Sequence, residues 1–314
     1  KFAILYEGLI NYGLYGPESP FTNVLSNKQL RELKSETLTD LIKDFTKTEH
    51  KVLYYGPKKG EELVASLNQY HKLPEQLKPA PPPMDFQLKD VNEQNAFWAD
   101  YDMVQAEIIF LTKGPAFDKE RIPISRIFNE YFDGNMSSPI FQELREAQGL
   151  AYSAFAYYGT ADKPTGNDFF YGYVGTQADK QVEAMKGLSA LIRNFPRTES
   201  GFEVAKSGIM NRIESARITK TGILFNYLDA QRKGIDHDVR KDVYEQAQQL
   251  TLDDIQKFHE QYLSGAKYNV VVLGKEGKLN LKDLQKYGKV KELTLDELFG
   301  YEKPVKINTE SPNQ

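Results

Sequence analysis

The chain has 314 residues, about twice the length of a typical domain, which predicts two domains or one domain with part of another. Its 40 basic and 44 acidic residues give a formal net charge of −4, too balanced for a surface that recruits nucleic acid or an anionic membrane. The absence of cysteine excludes disulfides, thiol catalysis and cysteine-based metal sites, and no stretch reaches the roughly 20 apolar residues of a membrane span.

The first part of the chain, residues 1–73, predicts helices around one short strand. The spacing of Phe2, Leu5 and Leu9 predicts a helix, although no capping residue precedes it. After a loop rich in glycine and proline, the predicted elements are a helix capped by Thr37, a strand and a second helix, at 38–47, 51–55 and 61–70. The apolar residues of these two helices have the spacing of buried faces: Leu38, Leu41, Ile42, Phe45, Leu63, Leu67 and Tyr70.

A linker and a second domain are predicted next. Residues 74–90 include five prolines and have no periodicity, which indicates a stiff, extended linker. The domain at 91–314 has predicted strands near both of its ends and mostly helices between them, an α+β pattern. Its predicted strands lie at 103–111, 151–158, 169–174 and 268–273.

Two parts of the chain share a pattern. Thr37-Leu-Thr-Asp-Leu41 and Thr251-Leu-Asp-Asp-Ile255 each begin a predicted helix, and an apolar strand that ends in glycine follows each helix. This shared order indicates an internal duplication, whereas a common helix-cap motif is the simpler alternative. Only 36 residues precede Thr37, but 156 positions separate residue 95 from Thr251. If the two units are equivalent, the first has lost more than half of its domain, and the chain is expected to begin inside a domain.

The four histidines lack the spacing of a metal site. Such sites usually place two ligands on neighbouring turns of a helix. His259-Glu260 matches the start of a His-Glu-x-x-His motif, but Leu263 stands where the second histidine is needed. The chain also has no Gly-x-Ser-x-Gly elbow and no glycine-rich loop between a strand and a helix. The sequence therefore disfavours metal binding by this chain, serine catalysis and phosphate binding.

One segment combines side chains that suit peptide carbonyls. Arg145 ends a short predicted helix, and Tyr152 follows seven residues later near the start of a strand. If the strand folds back against the helix, both side chains can face one cleft. Arginine offers a fixed fork of donors, and a tyrosine on a rigid strand can donate to an oxygen that gains negative charge. The alternative is that Arg145 pairs with Glu143 or Glu146 on the surface while Tyr152 packs in the core.

The same segment, Leu144-Arg-Glu-Ala-Gln-Gly-Leu-Ala-Tyr152, resembles the Leu-Arg-x-x-x-Gly-Leu-Ala-Tyr signature of the pitrilysin/insulinase family of zinc metallopeptidases, the inverzincins. The preceding helix and turn at 128–138 also match, although Pro139 stands where an arginine is frequent. Tyr15-Gly-Pro-Glu-Ser-Pro20 resembles the end of the preceding domain of the family. The resemblance covers the chain from about residue 10 to residue 290.

The resemblance implies a fold and a place in a larger enzyme. Family members have two halves, each with two similar α+β domains in which helices pack on a mixed or antiparallel sheet, and the halves close around an unfolded peptide. The His-x-x-Glu-His zinc site belongs to the amino-terminal half and is absent from this sequence. Residues 1–73 then correspond to the end of one domain of the other half, and residues 91–314 to the complete carboxy-terminal domain.

The resemblance also implies roles for the two motif residues. Arg145 would bind and orient the substrate backbone, and Tyr152 would donate to the developing oxyanion while zinc-bound water attacks the carbonyl. The chain is thus expected to be an inactive carboxy-terminal part of a zinc-dependent metalloendopeptidase, with a peptide or unfolded polypeptide as substrate and the zinc-binding half as partner. The alternative is an inactive homologue that serves as a structural or peptide-binding subunit. Exported bacterial relatives favour a periplasmic location over a cytoplasmic one.

Overall fold

A six-stranded mixed sheet forms the centre of the computed structural model, which describes residues 1–301. The strands are β1 (Asn95–Asp100), β2 (Gln105–Ala116), β3 (Ser153–Gly159), β4 (Asn167–Gln177), β5 (Asn269–Gly274) and β6 (Lys289–Glu292). Their order is β3-β4-β2-β5-β1-β6; β1 is parallel to β5 and β6, and the other neighbours are antiparallel. The predicted α+β class with a mixed sheet is confirmed, while β1 and β6 are strands that the sequence pattern does not predict.

Helices connect and cover these strands. The α-helices are α1 (Ile10–Tyr15), α2 (Asn27–Glu32), α3 (Ser35–Asp44), α4 (Gly60–Tyr70), α5 (Ile122–Asp133), α6 (Gln181–Arg193), α7 (Glu199–Ser215), α8 (Thr221–Arg232), α9 (Val239–Gln249), α10 (Leu252–His259), α11 (Leu281–Leu284) and α12 (Leu295–Phe299). Helical segments with π-type bonding lie at Ala3–Leu9, Phe141–Ala147 and Glu260–Ser264. Across residues 1–301, none of the helices has both the length and the apolar character needed to cross a membrane.

One face of the sheet carries the larger core. Helices α5, α6 and α10 place Phe128, Leu188 and Phe258 against residues such as Ile108 and Val272 of the strands, and all of these side chains are buried. The helices supply apolar stripes at helical spacing, which explains why the pattern at 124–131 predicts α5 correctly. Gly172 of β4 allows helix α6 to pack close to the sheet, since a Cβ at this position would lie only 3.2 Å from Ile192.

The opposite face is covered by the first residues of the chain. Leu5, Leu9 and Leu14 are buried against strands β2 and β5, together with residues of α12. Gly13 permits this contact, because a Cβ at that position would lie 2.5 Å from Leu111. Residues 3–15 thus complete the core of the domain predicted at 91–314, a placement that the local sequence does not indicate. The division into 1–73, 74–90 and 91–314 stays a prediction, and residues 302–314 lie outside the described part.

The segment between α2 and the sheet differs from its prediction. Residues 51–55 are extended but pair with no strand within the described chain, so the predicted strand is wrong. Helix α3 begins at Ser35, and Thr37 lies inside its first turn rather than at the cap. The predicted apolar faces of α3 and α4 are exposed or half-buried. An isolated strand has no neighbour to satisfy its backbone groups, and an apolar helix face is buried only where a second surface covers it.

Candidate functional site

The structure folds strand β3 back against the helical segment Phe141–Ala147. Leu144 is fully buried in the main core, and its carbonyl oxygen accepts hydrogen bonds from the backbone N–H groups of Leu150 (3.0 Å) and Ala151 (3.2 Å). The turn between them includes Gly149 with φ of +57°, a conformation that favours glycine. Arg145 and Tyr152 therefore flank a turn whose two ends are fixed to each other.

Tyr152 lies at the surface rather than in the core. Its side chain is 57% exposed, and its backbone N–H donates to the carbonyl oxygen of Gly175 at 2.9 Å. The amide of Gln177 donates to the Tyr152 hydroxyl oxygen at 2.7 Å. Because this oxygen accepts from Gln177, its own hydrogen can be donated to another acceptor. The alternative of a core tyrosine does not agree with this placement.

Arg145 is exposed beside the same turn. Its guanidinium lies over the ring of Phe141, 5.0 Å from the ring centroid, so its planar donors are held by a cation–π contact. Within residues 1–301 it forms no ion pair with Glu143, Glu146 or another carboxylate. No hydrogen bond in the described chain joins Arg145 to Tyr152. Both groups thus keep donors for a ligand, and their predicted roles stay predictions.

Side chains of α5 cover the outer edge of strand β3. The side-chain amide of Asn129 donates to the carbonyl oxygen of Tyr158 (2.9 Å) and accepts from its N–H (2.8 Å). Asp133 accepts from the backbone N–H of Ala156, and burial raises the pKa of its carboxyl group to about 7. These polar side chains form hydrogen bonds with backbone N–H and C=O groups of β3 that could otherwise pair with another strand. The edge next to Tyr152 is therefore shielded at Ala156 and Tyr158.

A buried polar cluster lies behind Tyr152. The hydroxyl of Tyr173 on β4 donates to the carboxylate of Glu107 on β2, which is 1% exposed. The hydroxyl of Ser153, the residue after Tyr152, lies 3.2 Å from the same tyrosine oxygen. Burial and the bond to Glu107 raise the pKa of Tyr173. The sequence motif did not identify this cluster; the only signal is the alternation of tyrosine and glycine along β4.

The histidines do not form a metal site. Across the described part of the chain, no three histidine, aspartate or glutamate side chains converge in a way that could hold a metal ion. His259 is fully buried and its Nε2 lies 3.3 Å from the carbonyl oxygen of Leu191. His237 lies between Asp236 and Asp242, and the Nε2 atoms of His50 and His71 lie 2.7 Å apart. The residues present in this structure therefore do not fit a catalytic zinc.

Comparison with known proteins relates this chain to a family of peptidases. The model of the family described as "Peptidase M16 inactive domain" matches residues 33–207, more than half of the chain. The uncharacterized zinc protease YmxG of Bacillus subtilis is 31% identical over 116 residues, which are 35% of this chain and 28% of that protein.

Two solved structures show the same fold. The peptidase M16 inactive domain from Pseudomonas fluorescens superposes with a TM-score of 0.53 at 16% identity, over 68% of this chain and 50% of that one. A mutant of the ferredoxin protease FusC in complex with Arabidopsis ferredoxin gives a TM-score of 0.60 at 13% identity, over 84% and 29%. The chain thus spans between about a quarter and half of the lengths of these proteins.

Proposed function

Since this chain belongs to the family of peptidase M16 inactive domains, we propose that it is the substrate-binding, carboxy-terminal half of a zinc-dependent peptidase whose metal lies in a separate half. The observation that carries this proposal is that two exposed hydrogen-bond donors, Arg145 and Tyr152, flank one fixed turn. Tyr152 has a hydroxyl hydrogen free for donation, and Arg145 has no carboxylate partner in the described chain. Side chains held ready in this way suit the carbonyl groups of a peptide.

Each of the two residues has a separate task in this proposal. The guanidinium of Arg145, stacked on Phe141, binds carbonyl oxygens of the substrate and orients the chain. The Tyr152 hydroxyl donates a hydrogen bond to the oxygen that gains negative charge as the peptide bond is attacked. In this proposal the other half binds zinc, in agreement with the finding that no group of described side chains here could hold a metal ion.

The exposed helices of the first part of the chain support a larger assembly. Leu41 and Ile42 of α3, Phe45 directly after it and Val64 of α4 are exposed large hydrophobic residues. Exposed large apolar side chains in this number are typical of surfaces that another unit covers. In the proposal, the remainder of the same domain or the zinc-binding half covers these faces.

The substrate is proposed to be a peptide or an unfolded polypeptide. The structure of FusC was determined in complex with ferredoxin, which is consistent with protein substrates among proteins of this fold. The periplasmic location stays part of the proposal.

The proposal is tested in the full-length protein that contains this chain. We expect Tyr152→Phe to lower kcat for peptide hydrolysis by about 10- to 1000-fold, because one donor to the transition state is lost. KM should change much less. The isolated 314-residue chain should hydrolyse no peptide, with or without added zinc.

Tyr157→Phe is the matched control, because Tyr157 is exposed like Tyr152, lies on the strand that follows Tyr152 and is outside the motif. Its kcat should equal that of the unchanged protein. An unchanged rate in Tyr152→Phe would reject the proposed role of Tyr152. A full-length protein that binds peptides without hydrolysing them would instead support a peptide-binding subunit.

A further inference from the structure

Three neighbouring strands are joined by side chains directly behind Tyr152. Glu107, Gly175 and Ser153 lie in register across β2, β4 and β3. Tyr173, two residues before Gly175 on the same face of β4, places its hydroxyl between the other two side chains. Because that hydroxyl donates to Glu107, it accepts from Ser153. One tyrosine thus connects the centre of the sheet to the first residue of its edge strand.

Gly175 makes this arrangement possible. A Cβ at this position would lie 2.5 Å from the Tyr173 hydroxyl oxygen, 3.0 Å from Glu107 and 3.2 Å from Ser153. The carbonyl oxygen of the same glycine accepts the backbone N–H of Tyr152 at 2.9 Å. The tyrosine hydroxyl and the backbone of Tyr152 are therefore fixed at the same level of β4.

We propose that Tyr173 is a positioning residue that fixes the start of β3 and thereby the hydroxyl of Tyr152. The inference rests on the proposed function, in which Tyr152 donates to the substrate. Tyr152 is exposed and its side chain has Gln177 as its described hydrogen-bond partner, so the direction of its hydroxyl depends on the position of its backbone. That backbone is held on one side by Gly175 and on the other by Ser153, whose side chain depends on Tyr173.

The geometry allows the hydroxyl to be removed with little other change. The ring of Tyr173 stacks on Phe155 with centroids 4.4 Å apart, and phenylalanine would keep this contact. Tyr171 provides a matched control, because it lies two residues away on the same strand and face and also contacts Phe155, at 5.9 Å. Its hydroxyl makes no hydrogen bond to another residue in the described chain.

The experiment measures peptide hydrolysis by Tyr152→Phe and four further variants of the full-length protein. We expect Tyr173→Phe to lower kcat by about 10-fold with KM within about twofold, the effect of a small misplacement of a catalytic group. Tyr171→Phe should leave both constants unchanged. In the double variant with Tyr152→Phe, removal of the Tyr173 hydroxyl should lower kcat no further, because a positioning residue acts only through the group that it positions.

Ser153→Ala is the fourth variant. It is included because Tyr173→Phe removes one of the two partners of the buried Glu107, leaving Lys1, and could therefore impair folding. Ser153→Ala removes the hydrogen bond between Ser153 and Tyr173 but leaves Tyr173 bonded to Glu107. We therefore expect kcat to fall, as in Tyr173→Phe, while the protein stays folded. An effect of Tyr173→Phe that multiplies with that of Tyr152→Phe would overturn the inference, as would unchanged kcat in both Tyr173→Phe and Ser153→Ala. If Tyr152→Phe itself has no effect, the proposed function fails instead.

Discussion

The helices α3 and α10 share a residue pattern, which starts inside the first turn of α3 and at the cap of α10, but they have different surroundings. Leu41 in α3 is 56% exposed, whereas Ile255, at the corresponding position of α10, is fully buried. Phe258 of α10 packs on Phe128 and Tyr158, with ring centroids 5.1 and 4.9 Å apart. The apolar pattern of a helix thus predicts which of its faces is suited to burial. That face is buried only where another part of the protein packs against it.

The strands that follow the two helices differ in the same way. The strand β5 pairs with β1 and β2 and is buried along its whole length. The extended residues 51–55 have no partner strand in the described chain, and Val52, Leu53 and Tyr55 are exposed. Similar apolar residues form a strand only where neighbouring strands accept their backbone groups. The two parts of the chain therefore differ in packing although their residue patterns are alike.

The largest expected difference between the two units is in core packing. Ile255→Ala should lower the free energy of unfolding by about 3 kcal/mol, because it leaves a cavity beneath α10. Leu41→Ala should change it by less than about 0.5 kcal/mol, because the side chain is already exposed. Urea denaturation of the 314-residue chain, followed by circular dichroism, measures both.

A large loss in Leu41→Ala would mean that α3 packs against part of this chain, and the comparison would fail. The same two variants also test the proposed function when they are made in the full-length protein. If the exposed face of α3 is covered there, the cost of Leu41→Ala should rise toward that of Ile255→Ala. A cost that stays near zero would leave the face uncovered.

A smaller difference is expected at the helix starts. Thr251 caps α10 in a reciprocal arrangement, in which its hydroxyl accepts from the Asp254 N–H and the Asp254 carboxylate accepts from the Thr251 N–H at 3.0 Å. Thr251→Ala should therefore cost about 1 kcal/mol. Thr37→Ala should cost almost nothing, because Thr37 lies inside the first turn of α3 and does not cap it. The cap position is held by Lys34, whose side chain makes no capping hydrogen bond. Equal costs in thermal unfolding would contradict the structural difference between the two threonines.

Much of the sheet could be predicted from local patterns. The three valines of β5 and the alternating residues of β3 and β4 have clear strand signals, and the apolar stripe of α5 has a clear helical one. Strand β6 has four residues, three of them charged, and gives no such signal. The packing of residues 3–15 on the far face of the sheet also has no local signal, because it depends on contacts between distant parts of the chain.

The positions of the candidate site residues could be predicted to a similar degree. Arg145 and Tyr152 lie in one continuous motif, and the structure places both at the surface beside a tight turn. The bond between Tyr173 and Glu107 joins residues 66 positions apart and depends on the register of β2 with β4. A short motif reveals residues that are close in sequence, whereas residues that position them are found only when the strands are paired.

The smallest expected effect concerns a position where the two units differ in chemistry. His259 stands eight residues after Thr251, as Phe45 stands eight residues after Thr37. His259 is buried beside Phe128, Phe132 and Phe195, and its Nδ1 has no hydrogen-bond partner in the described chain. Burial lowers its pKa below the ordinary value of 6.5, so the folded protein keeps the ring neutral.

The unfolded chain takes up a proton on this ring as the pH falls through 6.5, whereas the folded chain takes it up only at a lower pH. The contribution of His259 to stability is therefore complete above that pH and decreases as the pH falls toward its folded pKa. His259→Phe, which places the residue of the first unit in the second, should remove this slope. Between pH 7 and pH 5 we expect the wild type to lose roughly 0.5–1 kcal/mol more than the variant in urea denaturation. Ile255→Val, which has no titratable group, should keep the wild-type slope, and parallel slopes for all three proteins would mean that His259 does not control the pH dependence of this core.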